Sequence, residues 1–512
     1  GEGSVSRADV AQVAALVGAA ASAFLLLSAR RAALCLGSAL LLVAEGLLVY
    51  ALVPADDLRL LVDSPLRIMV VAAAASAMVG AGFLLARFPA AIPLLLVVAA
   101  PFRIPVELGG QEAFLLVPLY AALGAAGSSL LIRSFRGEEL TKLSPLLAWP
   151  VAAFVALSSA SLLWSQDLRA GEIELLFFLF PFVVLLAVLA RSALAAWTAR
   201  ALAASVVALA LVFAGVGVWQ LWSERLFFAR DIEVANAYTS YFRTSSLFSD
   251  SSVYGRHLVV AIVVLLVALW LGRLPLLAGA ALIAALWTGL YFSYSQSSLV
   301  ALIVGALVVS LAAASRLERR VIVAAAGVFA LVGAAFVGAT ARGDSIQRFT
   351  SGRSTLSELS VRVFLDHPAV GVGIGAQPEA SRAQGGRPEA ERNASHTTPL
   401  TVAAELGVLG LAVYGAFLLG ATRLLAAVYR RDRALGLGLG GTFLVVFVHS
   451  LLYAGFFQEP IMWGVLAVAA AAVLPAAPVV APSRPRSQEA SALSFPGRVG
   501  ATASRIRRPG QT

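Results

Sequence analysis

The sequence predicts an all-α polytopic membrane protein with about 12–15 transmembrane helices and a long, partly helical outer loop. Three observations carry that expectation. Of the 512 residues, 60% are hydrophobic, against ~45–50% in a soluble domain. Only 13% are charged, about half of the ~25% usual share. Mean hydropathy is +0.88. A soluble fold cannot bury that much apolar surface, whereas a bilayer solvates it. These numbers exclude a cytosolic enzyme, a secreted disulfide scaffold and a nucleic-acid binder. The only cysteine is Cys35, in an apolar run, so no intrachain disulfide can form.

Spanning helices need ~20 mostly apolar residues. Candidate runs fall near 9–29, 32–53, 68–86, 89–104, 113–132, 144–163, 173–190, 198–222, 257–272, 275–293, 296–315, 321–340, 398–424, 435–455 and 460–477. The fourth is short and ends at Arg103. The first is too long for a cleavable signal and lacks a basic leader. Alternate connections carry Arg30 and Arg31, Arg87, Arg133 with Arg136 and Lys142, Arg191 and Arg200, Arg273, Arg316 with Arg319 and Arg320, and Arg430 with Arg431 and Arg433. The positive-inside rule makes that side cytoplasmic. The net charge of +10 is thus mainly a topology signal. Residues 1–222 read as N-terminal spans, 223–256 as an outer loop, 257–340 as further spans, 341–397 as a large periplasmic loop, and 398–477 as C-terminal spans. The basic tail, 478–512, is rich in Pro, Ser and Arg and reads as disordered. Within the large loop, Leu356, Leu359 and Val363 recur at helical spacing and Pro368 ends the run, which predicts a short amphipathic surface helix.

Span interiors are nearly free of ionisable groups; Glu45, Glu174, Glu405 and His449 are the exceptions. A transporter would place charges along its pathway and often repeat its halves. Here the polar residues gather instead at outer helix ends. One cluster runs from Arg243 through Asp250 and Tyr254 to Arg256 and His257, and can serve an anionic head group or be a capped, solvated loop. A second, Phe292-Ser-Tyr-Ser-Gln296-Ser-Ser, offers hydroxyls and an amide that can bind a ligand or cap a helix. A third joins Arg353, Asp366-His367-Pro368 and the turn Gly371-Val-Gly373-Ile-Gly375 to His396 and Glu405-Leu-Gly407. A histidine at the start of a membrane helix can act as a base near neutral pH. Asp56 and Asp57 form a carboxylate pair that could hold a divalent metal or simply face solvent after Pro54. No other cofactor is expected, and no Cys/His cluster is present.

At these clusters the chain resembles the O-antigen ligase and O-antigen polymerase superfamily of bacterial envelope glycosyltransferases. The resemblance covers roughly Arg243 to Trp463. Its strongest stretch is Phe364-Leu-Asp-His-Pro-Ala-Val-Gly-Val-Gly-Ile-Gly375 with His396 and Glu405-Leu-Gly-Val-Leu-Gly-Leu411. Arg243…Phe248-Ser-Asp250…Tyr254-Gly255 and His449…Pro460-Ile-Met-Trp463 are similar to the family's upstream and closing motifs. The resemblance implies a GT-C-type helical fold in the bacterial inner membrane, with its active site facing the periplasm. It implies inverting transfer of a glycan from an undecaprenyl-type polyprenyl diphosphate to a sugar hydroxyl, without a nucleotide sugar. The acceptor is a lipid-linked core for a ligase and another carrier-linked unit for a polymerase. By the same resemblance His396 activates the acceptor hydroxyl, while Arg243 and Arg353 hold the donor diphosphate. Gln296 joins them in the donor site where the family often has Arg; it keeps hydrogen bonding but loses charge, so either Arg256, Arg348 or Arg362 compensates, or donor binding differs from the ligase pattern. Asp250, Tyr254 and Glu405 are accessory candidates. The competing expectations are a lipid-linked glycan flippase and a non-catalytic envelope scaffold.

Overall fold

The computed structural model describes residues 6–108, 111–340, 353–385, 395 and 397–473. Arg348, His396 and the basic tail lie outside the described residues. Two helices, α1 (Arg7–Leu27) and α2 (Arg31–Leu52), pack as a hairpin, followed by the short α3 (Ala55–Val62) and the long α4 (Pro65–Arg87). Next come α5 (Ile92–Ala99), a hairpin of β1 (Ile104–Leu108) and β2 (Gln111–Leu115), α6 (Val117–Phe135) and α7 (Pro145–Ser161). The seventh apolar run becomes α8 (Leu168–Glu174) and α9 (Phe180–Leu189), joined by a π-helical turn over Leu175–Leu179. Then follow α10 (Thr198–Ser223), α11 (Arg230–Ala237), α12 (Ser251–Trp270), α13 (Leu276–Ser293), α14 (Gln296–Ala313) and α15 (Arg316–Thr340). The remaining helices are α16 (Arg353–Asp366), α17 (Gln377–Gly385), α18 (Thr398–Arg431), α19 (Arg433–Ser450) and α20 (Pro460–Val473).

Ten helices among the described residues are long and apolar enough to cross a membrane. Every one of the fifteen apolar runs contains a helix. Arginines of the alternate connections meet helix C-termini, which marks one end of the bundle. There Arg191, 4% exposed, donates to Leu25 O at 2.9 Å, Ser28 O at 2.8 Å, Ala187 O at 2.8 Å and Thr141 O at 3.1 Å. It thereby satisfies carbonyls that the ends of α1 and α9 leave free. Burial pushes this guanidinium down to about 10, so it stays charged at neutral pH. Arg433 and Arg431 likewise donate to the last carbonyls of α14 and α20, at 2.7 Å to Ala313 O and 2.5 Å to Val473 O.

Two elements differ from the sequence expectation. The run at 89–104 is helical only to Ala99, and 113–132 begins as a strand. Pro101 has no N–H to continue the helix. Ile104 then pairs with Leu115 and Val106 with Ala113 in the antiparallel hairpin. The 34-residue α18 would be about 51 Å long if straight, well beyond a ~30 Å hydrocarbon core. It is broken instead at Gly407, whose φ of 65° and ψ of −159° are non-helical. The predicted amphipathic helix is α16, which packs on α18 and ends two residues before Pro368.

Candidate functional site

At the end of the bundle opposite the arginine-rich one, two of the sequence clusters come together. Gln220 of α10 is fully buried. Its Oε1 accepts from Ser245 N at 3.1 Å and Ser246 N at 2.7 Å, and its Nε2 donates to Ser246 O at 2.8 Å. That grip holds Ser246 at φ 54°, a conformation uncommon outside glycine. Asn236 of α11 clamps both backbone groups of Arg243, at 2.9 and 3.0 Å. Thr244 N then donates to Phe292 O at 3.0 Å, and Arg243 Nε to Ser293 O at 3.4 Å. Arg243 is therefore half-buried against the end of α13, and among the described residues no carboxylate pairs with it.

The start of α14 turns its serines inward. Ser295 caps the helix by accepting from Ser298 N at 3.3 Å, and Ser297 Oγ lies 3.1 Å from His449 Nε2. Gln296 between them is exposed, so the buried polar contacts here come from the serines. Asp250 caps α12 through Ser252 N and also accepts from Tyr453 Oη at 3.1 Å. Burial first, and the Asp250 charge after it, raise the Tyr453 phenol above its ordinary value, which keeps it a donor. Tyr254 points away from this cluster. Its ring is buried against Gly217 and Gly289, where any β-carbon would stand 2.2 and 2.4 Å from its hydroxyl.

The glycine turn of the third cluster plugs into the break of α18. Val372 N donates to Ala404 O and Gly373 N to Glu405 O, both at 2.9 Å, while Val408 N donates to Pro368 O at 2.8 Å. The other side of the turn lies on α7 and α8: Ile374 N donates to Ser161 Oγ at 3.0 Å, and Gln166 N to Val372 O at 3.0 Å. Gly373 has φ 93°, and a β-carbon there would meet Ser165 Cα at 2.4 Å. Gly373→Val should therefore unseat the turn and lower the melting temperature of the purified protein, and a Val variant that melts like wild type would contradict this contact. The Glu405 side chain accepts from the amides of Gly375 and Gln377. Gln377 in turn donates to Ser360 and Ser381, and its Oε1 accepts from Ser395 N at 3.1 Å. Ser395 Oγ bonds Thr401 Oγ1 at 2.6 Å and accepts from Thr397 N at 3.2 Å. Both chain neighbours of His396 are thus anchored.

The segment 451–459 joins the halves. Tyr453 reaches Asp250, Glu459 forms a buried ion pair with Arg256, and Gln458 Nε2 donates to Glu174 at 2.7 Å. Glu174 lies within electrostatic reach of Glu405. Polar contacts therefore run from Asp250 to Tyr453 and from Gln458 to Glu174, and a second set runs from Glu405 through Gln377 to Ser395. Sequence reading noted Glu174 without giving it a role and missed Gln220, Asn236, Gln377, Gln458 and Glu459. The signal for some of them was an isolated polar side chain in an apolar run.

Other sequence candidates sit elsewhere. Arg362 is exposed and pairs with Glu358 one turn back, at 2.6 Å. Arg353 begins α16, and its side chain is not among the described ones. Asp56 and Asp57 are exposed on the first turn of α3, Asp56 3.7 Å from Arg59. Among the described residues no three His, Cys, Asp or Glu side chains converge. A crevice of about 390 Å³ runs beneath the site between α5, α10, α12 and α20, with Pro101, Phe213 and His257 at the site end and Arg200 and Arg273 at the other. Residues 280–415, which span α13 to the broken part of α18, match the O-antigen ligase family. No curated protein matches the chain.

Proposed function

We propose that the chain, whose residues 280–415 are similar to the O-antigen ligase family, is an inverting glycosyltransferase of the O-antigen ligase and polymerase superfamily. The donor is a glycan on a polyprenyl diphosphate, and the acceptor is a sugar hydroxyl on a lipid-linked core or a second carrier-linked unit. The observation that carries this reading is the pair of polar clusters built on the sequence motifs. One holds the Arg243 segment against α13 and the serines of α14, and the other holds the residues flanking His396 through Gln377.

The chemistry follows from those side chains. A hydroxyl is a weak nucleophile until a base takes its proton, and His396 is the candidate base. Attack on the anomeric carbon, opposite the departing oxygen, breaks the sugar–phosphate bond and leaves the polyprenyl diphosphate carrying the negative charge. Arg243, held by Asn236 and with no carboxylate partner among the described residues, is the cation for that leaving group. Arg256 is the weaker candidate, because Glu459 already neutralises it. The site end faces the periplasm in this reading, because the opposite end collects the arginines.

Two experiments test the reading. Purified protein given a polyprenyl-diphosphate glycan and an acceptor panel, with no nucleotide sugar, should form a product whose mass is the sum of acceptor and glycan. Failure with every acceptor, under conditions where the lipid donor binds, would overturn it. For orientation, Ala383 is exposed on α17. Ala383→Cys in a Cys35→Ser background should react with an impermeant maleimide in outer-permeabilised cells, and protection would reverse the topology.

A further inference from the structure

We propose that Arg103, on the N-terminal half of the molecule and far in sequence from the matched domain, is a second cation for the donor diphosphate, at the mouth of the apolar crevice that receives the first isoprene units. The inference rests on the proposed polyprenyl-diphosphate donor and adds a residue and a lipid path to it.

Three observations converge on Arg103. The first is its depth. The apolar helical stretch Pro89–Ala99 rises roughly 17 Å, about half of a ~30 Å hydrocarbon core. The chain after it is irregular, and irregular backbone within a membrane is tolerated where it lines a cavity or is buried in protein. Arg103 is pinned there between the end of α5 and the first residue of β1. Tyr120, within its electrostatic reach, lies in the first turn of α6 after Val117.

The second is its lack of partners. Arg103 is half-buried, yet among the described residues it forms no hydrogen bond or ion pair. The contrast with the other buried arginines is direct: Arg191 has four carbonyls, and Arg256 has Glu459. An arginine at this depth is costly unless paired, and intramembrane charges usually mark a substrate path.

The third is what surrounds it. Phe102 packs edge-on against Phe213 at 6.2 Å, and Phe213 against His257 at 5.9 Å. Phe213, His257 and Pro101 close the site end of the crevice. Arg103 also lies within electrostatic reach of His257 and Tyr453, and Tyr453 is bonded to Asp250 in the site network. The crevice follows α12 from His257 to Leu271, about 21 Å at ~1.5 Å per residue. Apolar walls, with a cation that pairs with no described residue two positions beyond Pro101 at the site end, fit a chain ending in a diphosphate, the cation meeting the charge and the walls meeting the isoprenes.

The test uses the full-length protein in nanodiscs and two probes, polyprenyl diphosphate without glycan and phosphatidylglycerol, with binding read by native mass spectrometry. Arg103→Gln and Arg103→Ala should weaken polyprenyl-diphosphate binding roughly 10- to 100-fold, as expected for a lost charge-assisted contact. Arg103→Lys should recover part of the loss. Phosphatidylglycerol binding and the acceptor KM should stay at wild-type values, and melting temperature separates a folding defect from a binding one. Wild-type affinity for polyprenyl diphosphate in Arg103→Gln would overturn the assignment of Arg103 alone. A loss confined to phosphatidylglycerol would make the crevice a site for bulk lipid and overturn it too. Failure of the wild-type protein to bind polyprenyl diphosphate would instead overturn the donor reading on which the assignment rests.

Discussion

His396→Ala should lower glycan transfer by ~10²–10⁴-fold, the usual worth of a positioned general base, while leaving the melting temperature and donor binding close to wild type. The expectation combines the resemblance with local anchoring. Ser395 is held by Gln377 Oε1 at 3.1 Å, and Thr397 N donates to Ser395 Oγ at 3.2 Å, so both chain neighbours of this histidine are anchored. Gln377 carries that anchoring from α17, where its amide also meets Ser360 and Ser381. Removing the imidazole takes away the base but leaves these anchors intact. His367 is the control: it is exposed at the end of α16, so His367→Ala should retain near-wild-type transfer. Wild-type turnover in His396→Ala, or inactivity confined to His367→Ala, would reassign the base.

Glu459→Ala should destabilise the protein by ~3–5 kcal/mol, the usual cost of leaving one partner of a buried ion pair alone. Arg256 and Glu459 are 4% and 2% exposed, and removal of the acid strands a guanidinium among apolar walls. The segment 451–459 would keep Tyr453 on Asp250 as its side-chain tie to the start of α12, and Gln458 on Glu174 as its tie to α8. The double variant Arg256→Met with Glu459→Leu should regain much of the lost stability, because apolar residues of similar volume replace such pairs well. Thermal unfolding in detergent reads both steps. If the single variant melts like wild type, the ion pair does not hold this segment. If the double variant folds but transfers poorly, Arg256 also serves the substrate.

The membrane class was legible because it depends on composition, and each apolar run became a helix because apolar length is a local property. The ends of those helices were less legible. Pro101 and the alternating Ile104, Val106 pattern stop the fourth run, but the hairpin needs Phe114 and Leu115 opposite it. The break at Gly407 is invisible alone, since glycine inside an apolar run reads as helix. It becomes necessary only when the 368–376 turn fills the gap, a contact between segments more than thirty residues apart. The same holds for the site. Arg243, Asp250 and the serines of α14 stood out as polar residues at helix ends. Gln220, Glu174 and Gln458 act through partners 25 or more residues away in sequence, so no local pattern reveals their roles. Arg103 was visible only as the end of a short span.

The most direct measurement of the central claim counts both products of one turnover. Wild-type protein in nanodiscs, with a polyprenyl-diphosphate glycan and its acceptor, should release one free polyprenyl diphosphate for each glycosylated acceptor, both read by mass. His396→Ala, measured beside it, should bind the donor and form neither product at a comparable rate. Release of polyprenyl diphosphate without a glycosylated acceptor, or equal formation of both products by His396→Ala, would contradict the account.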